Sequence, residues 1–524
     1  PITRVIDTAK RMQPKAKTVL GGALATADPD FALEHLNLDF LILGEGEVTM
    51  ENLCRALVNK SNIKDVKGIA FNENGKFFRT PPQESLIADL DNHPFPDYEG
   101  FEYGHYLDNH MGRDEFLSTV MDIEKRREAC IITSRNCVAK CTFCYRLMTG
   151  GHRARSIEKT MEEVKYLIDR YGVNEINLID EMFANDKQRI YDFCKGIKPF
   201  GIRWQCQLRV GVIDEDVLAA MKDSGCYYIS YGFESASKAV LKSMKKGAHP
   251  AQFENVIRWT SAAGMTIQGN WIFGDPAETL ETMNETFDFI KKHPGINLGI
   301  CLIIPYPGTM LYYNLKQEGK FKDLYAFYMH PDSVFHGRPL NMTKLSERDF
   351  DYLCRRVWNE AVVSHTFGKV LKAQKIGPNC AIVDYRCQNC SELHQGIKIE
   401  FNNSSERRLC KKCYQRVYLQ RCDVFFDLRG KLRNFYHHVI IRLMLISPKT
   451  YRFFEPLINL MQDRKRIIKL IKRFLKGNVM PKSSHPVAQP PAGAKRSGPL
   501  TQPPLEAKST SPVMEPQMAE LIIR

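Results

Sequence analysis

Along the first 60 residues, short apolar runs alternate with stretches of helical spacing. Residues 2–12 repeat apolar positions at helical intervals. Residues 17–20 predict a short strand running into Gly21-Gly22, and residues 32–35 lie in a helix. Residues 40–43 form an apolar strand that ends in Gly44-Glu45-Gly46-Glu47, with a helix over about 49–57 behind it. Continuous apolar strands between helices predict a parallel α/β sheet. Residues 68–80 predict a hairpin turning at Asn72-Glu73-Asn74-Gly75. Pro81-Pro82 and His93-Pro94-Phe95-Pro96 then break any regular element.

A second series of strand–helix units fills residues 127–335. Its predicted strands are 129–132, 175–179, 203–208, 227–231, 266–273 and 297–304, separated by helical patterns such as 161–171 and 214–224. Six such units predict an incomplete (β/α)6 TIM-type barrel, in which chemistry collects at the C-terminal strand ends. The α/β chain then divides into consecutive segments. Residues 1–62 are the C-terminal part of a doubly wound domain, 63–125 a connector with a hairpin, and 126–335 the barrel. Residues 336–380 are helical, 381–422 a cysteine-rich module, 423–476 a basic amphipathic helical segment, and 477–524 a disordered tail rich in Pro, Ser, Ala and Lys.

Length agrees with this division, because 524 residues exceed what one core supports. No apolar run of 18 residues occurs, so no transmembrane helix is predicted. No signal-peptide pattern is read in the first residues of the sequence. The chain begins at Pro1, inside what reads as the middle of a domain. The net charge of +14 concentrates toward the C-terminal third. Sixteen cysteines without a secretory context point to a reducing, cytoplasmic setting rather than disulfides. Cys54, Cys194, Cys206, Cys226, Cys301 and Cys354 are expected as structural thiols.

The remaining cysteines fall into metal-ligand spacings. Cys137-Val138-Ala139-Lys140-Cys141-Thr142-Phe143-Cys144 follows the first barrel strand. Three thiolates in one loop can ligate three irons of a [4Fe-4S] cluster and leave the fourth open. An open iron can chelate the amino and carboxylate groups of S-adenosylmethionine (SAM). A zinc knuckle or three unrelated thiols are the competing readings, opposed by the CxxxCxxC spacing, by Phe143 and by the position after a strand. These residues resemble the radical SAM superfamily, and more narrowly its branch with an N-terminal cobalamin-binding domain, over about residues 15–335.

The resemblance implies roles for further residues. Phe143 belongs to the cluster loop. Asp180 and Glu181, after the second strand, would meet the SAM amino group; Arg209, after the third, would pair with its carboxylate. Glu234 and Ser235 end the fourth strand as polar contacts to SAM. Residues 269–279 would line the adenine site, and 305–309 form the turn after the sixth strand. Gly21, Gly22, Gly44 and Gly46 stand where the doubly wound domain would approach cobalamin. The family's Asp-x-His-x-x-Gly and Ser-x-Leu motifs do not occur here and are expected upstream, so residues 1–524 alone are expected to bind cobalamin weakly or not at all.

Cys387-x2-Cys390 and Cys410-x2-Cys413, 19 residues apart, fit a zinc ribbon with a closed four-thiolate site. An auxiliary iron–sulfur cluster and free thiols are the alternatives, with Cys380 and Cys422 as flanking ligands. Basic residues from Arg464 to Lys476 interleave with apolar ones at helical spacing. Such a helix packs on its own protein, touches a membrane surface or meets an anionic partner. The expected activity is cobalamin-dependent methyl transfer to an unactivated carbon of a small-molecule or lipid-like substrate. Electrons would come from a donor such as flavodoxin or ferredoxin. Oxidative cyclisation or rearrangement is the alternative. A zinc-ribbon nucleic-acid-binding protein with a degenerate barrel is the rival of another class, and the complete cysteine motif speaks against it.

Overall fold

A computed structural model describes residues 2–83, 87, 89–109, 127–145, 151–293, 296–321, 323–329, 340–363, 368–388, 390–400, 405–410, 412, 416–420 and 447–452. The chain divides into two units, one made of residues 1–18 with 452–524 and one of residues 19–451. Of the first, the structure describes chiefly the helix Ile2–Met12. The basic helix over 464–476 and the tail 477–524 lie outside the described residues. Among the described residues, no helix is long and apolar enough to cross a membrane.

The second unit opens with a four-stranded sheet. Strands β1 (Val19–Leu20) and β2 (Phe40–Ile42) run parallel, as the apolar runs predict. The hairpin β3 (Ile69–Glu73) and β4 (Lys76–Arg79) continues this sheet antiparallel to β2. Its two-residue turn is Asn74-Gly75, at φ 55° and 81°, the left-handed pair that matches strand twist. Ile69 and Phe71 of β3 form the core with Leu53 of the helix Glu47–Asn59.

The central element is a six-stranded sheet. Its strands are β5 (Glu128–Ile131), β8 (Glu175–Leu178), β9 (Arg203–Leu208), β10 (Cys226–Glu234), β11 (Thr266–Phe273) and β12 (Asn297–Leu302), all parallel and in consecutive spatial order. A short pair, β6 (Ser134–Arg135) and β7 (Arg153–Ala154), brackets the cluster loop after β5. Helices on the outer face begin at side-chain caps: Ser156, Asp186, Asp214, Thr279 and Thr309 each accept a backbone N–H of the first turn. On the outer side Trp204 packs against Phe193, and Phe233 and Trp271 pack against Phe253 of the helix Pro250–Ala262; Ile176, Ile229 and Ile267 are also buried.

The inner face of the same strands is polar. Asn177, Gln205, Ser230, Gln268 and Asn270 are neighbours there by strand register. Tyr228 donates to Gln268, Gln268 Nε2 to Asn270 Oδ1 (2.9 Å), and Asn270 Nδ2 to Ser230 Oγ (2.8 Å), while Asn177 and Gln205 both donate to Glu128.

One segment departs from expectation. Residues 336–380 were predicted helical, and the helix Glu347–Val363 is present, but Gly368–Lys375 is a strand, β13. It pairs antiparallel with β14 (Cys380–Cys387), which pairs in turn with β15 (Leu393–Glu400). Lys, Leu, Ala and Gln are good helix formers, so this stretch reads as helix by propensity. Pairing along β14 overrides it, and Lys369, Lys372 and Lys375 mark it as a charged edge. A second hairpin, β16 (Ser405–Leu409) and β17 (Arg416–Gln420), follows.

Candidate active site

The cluster loop is pinned from below and from the side. Asp180 accepts from Thr133 N (2.8 Å), Thr133 Oγ1 (3.1 Å) and Ser134 Oγ (2.6 Å), fixing the loop's entry. Thr142 N donates to Met244 O (3.0 Å), and Leu311 N donates to Thr142 O (3.2 Å). Between these anchors, Cys137 is half-buried, Cys141 buried and Cys144 exposed. A hydrogen bond from Cys144, opposed by burial and helped by Lys246 and Arg209, pushes the Cys141 thiol down to about 6. The same bond, with burial, raises Cys144. One thiolate is thereby favoured before any metal arrives.

Strand ends β9 and β10 supply the charged wall. Arg209 points Nη1 at Cys141 Sγ (3.8 Å) and donates Nη2 to Lys246 O (2.5 Å). Lys246 Nζ meets Glu234 Oε1 at 2.7 Å, each side chain 8% exposed. Glu234 takes φ +64° at a bulge in the β10–β11 pairing. That left-handed backbone is uncommon for glutamate, and such strain gathers at functional sites. Gly232 makes room for the pair, since a Cβ there would stand 2.4 Å from Glu234 Oε1 and 2.8 Å from Lys246 Nζ.

The opposite wall comes from the ends of β1 and β2. Gly22 and Gly44 have φ +83° and +81°, and a Cβ on either would meet open space. Backbone conformation, not crowding, requires glycine at both, and it leaves two bare backbone surfaces facing the cavity. Thr26 joins the loops: its Oγ1 donates to Gly22 O (2.9 Å) and accepts from Gly44 N (2.9 Å). Glu45, 4% exposed, accepts from Arg153 and from Arg135 (3.0 Å), and Arg135 also reaches Glu47 (2.6 Å). These pairs fasten the Gly44–Glu47 turn to β6 and β7 beside the cluster loop.

The walls enclose a cavity of about 440 Å³ that includes Cys137, Cys141, Cys144, Glu181, Arg209, Glu234, Gly22 and Gly44. Three thiols, two cations and two carboxylates facing one space suit a cluster and a zwitterionic, cationic-sulfur ligand such as SAM. The bare glycine surfaces suit a bulky ligand opposite.

Several predicted residues stand elsewhere. Asp180 is spent on Thr133 and Ser134 beneath the loop. Ser235 shares its hydroxyl with Thr286 (3.0 Å) and Ser237 N (3.1 Å), away from the cavity. Phe143 packs against Val240, Met244, Ile303 and Leu311. Gly21 and Gly46 lie against Ile42. Of the expected structural thiols, Cys194, Cys206, Cys226 and Cys354 are buried, Cys54 is half-buried, and Cys301 is exposed on β12. Sequence reasoning missed Lys246, Gln207, Ser230, Asn270, Asn136 and Thr26. The only available signal for the amides and Ser230 was polar residues at alternate positions of otherwise apolar strands.

In the C-terminal module, Cys387 ends β14, Cys390 sits in the β14–β15 turn, and Cys410 directly follows β16. Their sulfurs lie within 4.8 Å of one another. Cys413 and Cys422 lie outside the described residues.

Comparison with known proteins agrees with this arrangement. The radical SAM superfamily profile matches residues 131–290, and the B12 binding domain profile matches residues 1–54. An uncharacterized methyltransferase of Pyrococcus horikoshii is 32% identical over 313 residues, 59% of this chain and 65% of the relative. The cytidylyl-2-hydroxyethylphosphonate methyltransferase of Streptomyces wedmorensis is 28% identical over 61% of this chain and 64% of its own length. An anaerobic magnesium-protoporphyrin IX monomethyl ester cyclase of Rubrivivax gelatinosus is 26% identical over 72% of this chain and 67% of its own. The chain thus spans about two thirds of the length of these relatives. Within one chain, residues 131–290 thus match the radical SAM superfamily and residues 1–54 the B12 binding domain.

Proposed function

We propose that this protein cleaves SAM at a [4Fe-4S] cluster held by Cys137, Cys141 and Cys144, and with cobalamin transfers a methyl group to an unactivated carbon of a small molecule. The observation that carries this reading is that the three cysteines share one cavity with Gly22 and Gly44 of the segment matching the B12 domain. When bound, the cluster supplies the electron that splits SAM into methionine and a 5′-deoxyadenosyl radical, and cobalamin supplies the methyl carrier. Arg209 and Lys246 offset the negative charge of a thiolate-ligated centre. Arg209 also offers a free edge for the SAM carboxylate, and Glu181 a carboxylate for its amino group. Gln207, Ser230 and Asn270 offer neutral hydrogen-bonding groups deeper in the cavity. Asp180, Ser235 and Phe143 support these residues from behind.

Cyclisation is the second reading, favoured by the similarity to a cyclase over 72% of this chain. Further parts of the proposal are an incomplete (β/α)6 barrel over 126–335, part of a doubly wound domain before it, and a zinc-ribbon module at 381–422. A flavodoxin or ferredoxin as electron donor, a cytoplasmic setting and a membrane-surface contact through the basic helix complete it.

Anaerobic reconstitution with iron and sulfide, followed by SAM and reductant, tests the central claim. The wild-type chain should turn brown and release 5′-deoxyadenosine. Cys137→Ala, Cys141→Ala and Cys144→Ala should each lose absorbance near roughly 400 nm and SAM cleavage, because thiolates are the protein ligands. Any one of these variants retaining full cleavage refutes the assignment. S-adenosylhomocysteine formed beside 5′-deoxyadenosine distinguishes methyl transfer from cyclisation.

A further inference from the structure

The cluster loop has an outer side. Cys137, Ala139, Cys141 and Cys144 line the cavity, whereas Val138 and Lys140, at the alternate positions, lie outside its lining and are exposed, Val138 at 55%. Two other segments adjoin the loop. Thr142 N donates to Met244 O (3.0 Å), just past the helix Lys238–Ser243, and Leu311 N donates to Thr142 O (3.2 Å). Phe143 packs with Val240, Met244 and Leu311, so the three segments share one small core. Val240 and Leu241 turn inward on that helix, which leaves Lys238 and Lys242, four residues apart, on its outer face. Lys245 follows, with Nζ 3.8 Å from Sδ of Met310, which is 42% exposed.

This surface carries charge of one sign. Residues 129–157, 235–253 and 289–317, which contain all three segments, include no Asp or Glu. Lys246 turns in to meet Glu234, but Lys140, Lys238, Lys242 and Lys245 are exposed, and among the described residues none of the four is ion-paired. Exposed lysines are commonplace on any protein. Their place directly outside the cysteines gives these a task. A [4Fe-4S] centre that splits SAM consumes an electron each time, and a carrier protein is too large to enter a cavity of about 440 Å³. It approaches from the outer side, where Val138 and Lys140 are the intervening residues. Redox encounters of this kind bury little area, under about 1,200 Å², and take their rate and orientation from complementary charge. A membrane surface or a nucleic acid is also drawn to lysines, but neither delivers an electron.

We propose that Lys140, Lys238, Lys242 and Lys245, with Val138 and Met310, form the docking surface for an acidic one-electron carrier protein of flavodoxin type. This rests on the cluster reading of Cys137, Cys141 and Cys144. One electron passes from the carrier, which is oxidised, to the cluster, which is reduced, and no bond forms or breaks in that step. The lysines steer and orient the carrier, and the two apolar side chains supply the dry contact.

The test uses the reconstituted full chain and two triple variants, Lys238→Gln/Lys242→Gln/Lys245→Gln and Lys238→Glu/Lys242→Glu/Lys245→Glu. Lys140 is kept, so the cluster loop is unaltered. Iron per chain, the dissociation constant for oxidised flavodoxin without SAM, and the rate at which reduced flavodoxin bleaches the cluster are measured at low and high salt. The extent of reduction by dithionite serves as the control. Both variants should hold wild-type iron and reach the same extent of reduction with dithionite. At low salt the glutamate variant should bind flavodoxin more weakly and be reduced by it about 10-fold or more slowly, with the glutamine variant between. Added salt should slow the wild type and not the glutamate variant, because it screens an attraction that only the wild type has. Equal flavodoxin affinity and rate in the wild type and the glutamate variant, with iron intact, would overturn the docking surface alone. Phosphatidylglycerol vesicles or single-stranded RNA that bind the wild type and not the glutamate variant, with flavodoxin rates unchanged, would assign the lysines to that partner and overturn the proposal. A wild type that takes up no iron would overturn the cluster reading itself.

Discussion

Replacing Lys246 with Met tests whether the cavity wall is held by charge. The ammonium and the Glu234 carboxylate are 2.7 Å apart with both side chains 8% exposed. At an effective dielectric near 20, that separation corresponds to an attraction of about 6 kcal/mol. Desolvation of both ions offsets much of it, so the intact pair adds little net stability. Removing one partner is different, because it strands a buried charge and costs about 3–5 kcal/mol. The strand end concentrates this cost, since Glu234 is already held at φ +64°. The Arg209 bond to Lys246 uses the backbone carbonyl and survives the change. Native-state hydrogen exchange of peptides spanning 226–246 is the suitable assay, because it reads local opening free energy rather than global unfolding. Lys246→Met should lose about 3–5 kcal/mol of local protection, and the Glu234→Gln/Lys246→Met double variant should recover most of that loss. A single variant that loses less than about 1 kcal/mol, or a double variant no better than the single, would show that the pair is screened and does not organise the wall.

Two further predictions concern buried carboxylates. Glu45→Ala removes the acceptor shared by Arg135 and Arg153. A loss of about 2–3 kcal/mol is expected, below the buried-pair range because each arginine keeps another partner. Protection of residues 134–135 and 153–154 should fall while iron incorporation persists, and unchanged protection would contradict the fastening role. Glu278 sits at the N-terminus of the helix Leu280–Lys292, where burial pushes its carboxyl up from 4.5 to about 7. The folded state then holds a proton that the unfolded chain has released, so stability from this group declines between about pH 4.5 and 7 and is flat above. The span amounts to about 3 kcal/mol. Urea denaturation should show wild type losing ground against Glu278→Gln over that interval, and a pH-independent difference would refute the shift.

What was legible in the sequence follows the reach of each signal. The cluster loop, the hairpin turn and the strands of the central sheet are local patterns, and spacing or periodicity carries them. Side-chain direction at a strand end is not so local. Asp180 and Glu181 are adjacent, but strand alternation sends Glu181 to the inner face with Asn177 and turns Asp180 under the loop. Glu234 and Ser235 separate in the same way, with the bulge at β10 deciding which faces the cavity. Lys246, in Lys245-Lys246-Gly247, reads as a solvated helix end. Only the return of that turn across β10 buries it. β13 was hidden because an edge strand of lysines and helix-forming residues owes its state to its neighbour.

The same distinction bears on how the cavity keeps its shape. The sheet of β1–β4 and the sheet of β5–β12 share no strand ladder, so backbone pairing does not set the distance between the glycine surfaces and the cluster cysteines. Carboxylates do that work at two places. Glu45 and Glu47 hold the end of β2 to Arg135 and Arg153 beside the cluster loop. Asp28, at the start of the helix Pro29–His35, accepts from Tyr312 (2.6 Å), Lys316 (2.9 Å) and Tyr328 (3.1 Å), residues that follow β12. Burial works against the Asp28 charge, but these donors prevail and lower its pKa. The two ties lie at opposite ends of the central sheet, next to β5 and beyond β12, so rotation about either one is opposed by the other. Positioning reactants within fractions of an ångström is worth several kcal/mol of barrier in any enzyme that must bring two bound groups together. A pair of charge-assisted ties, each directional and short, suits that requirement better than an apolar contact, which tolerates sliding.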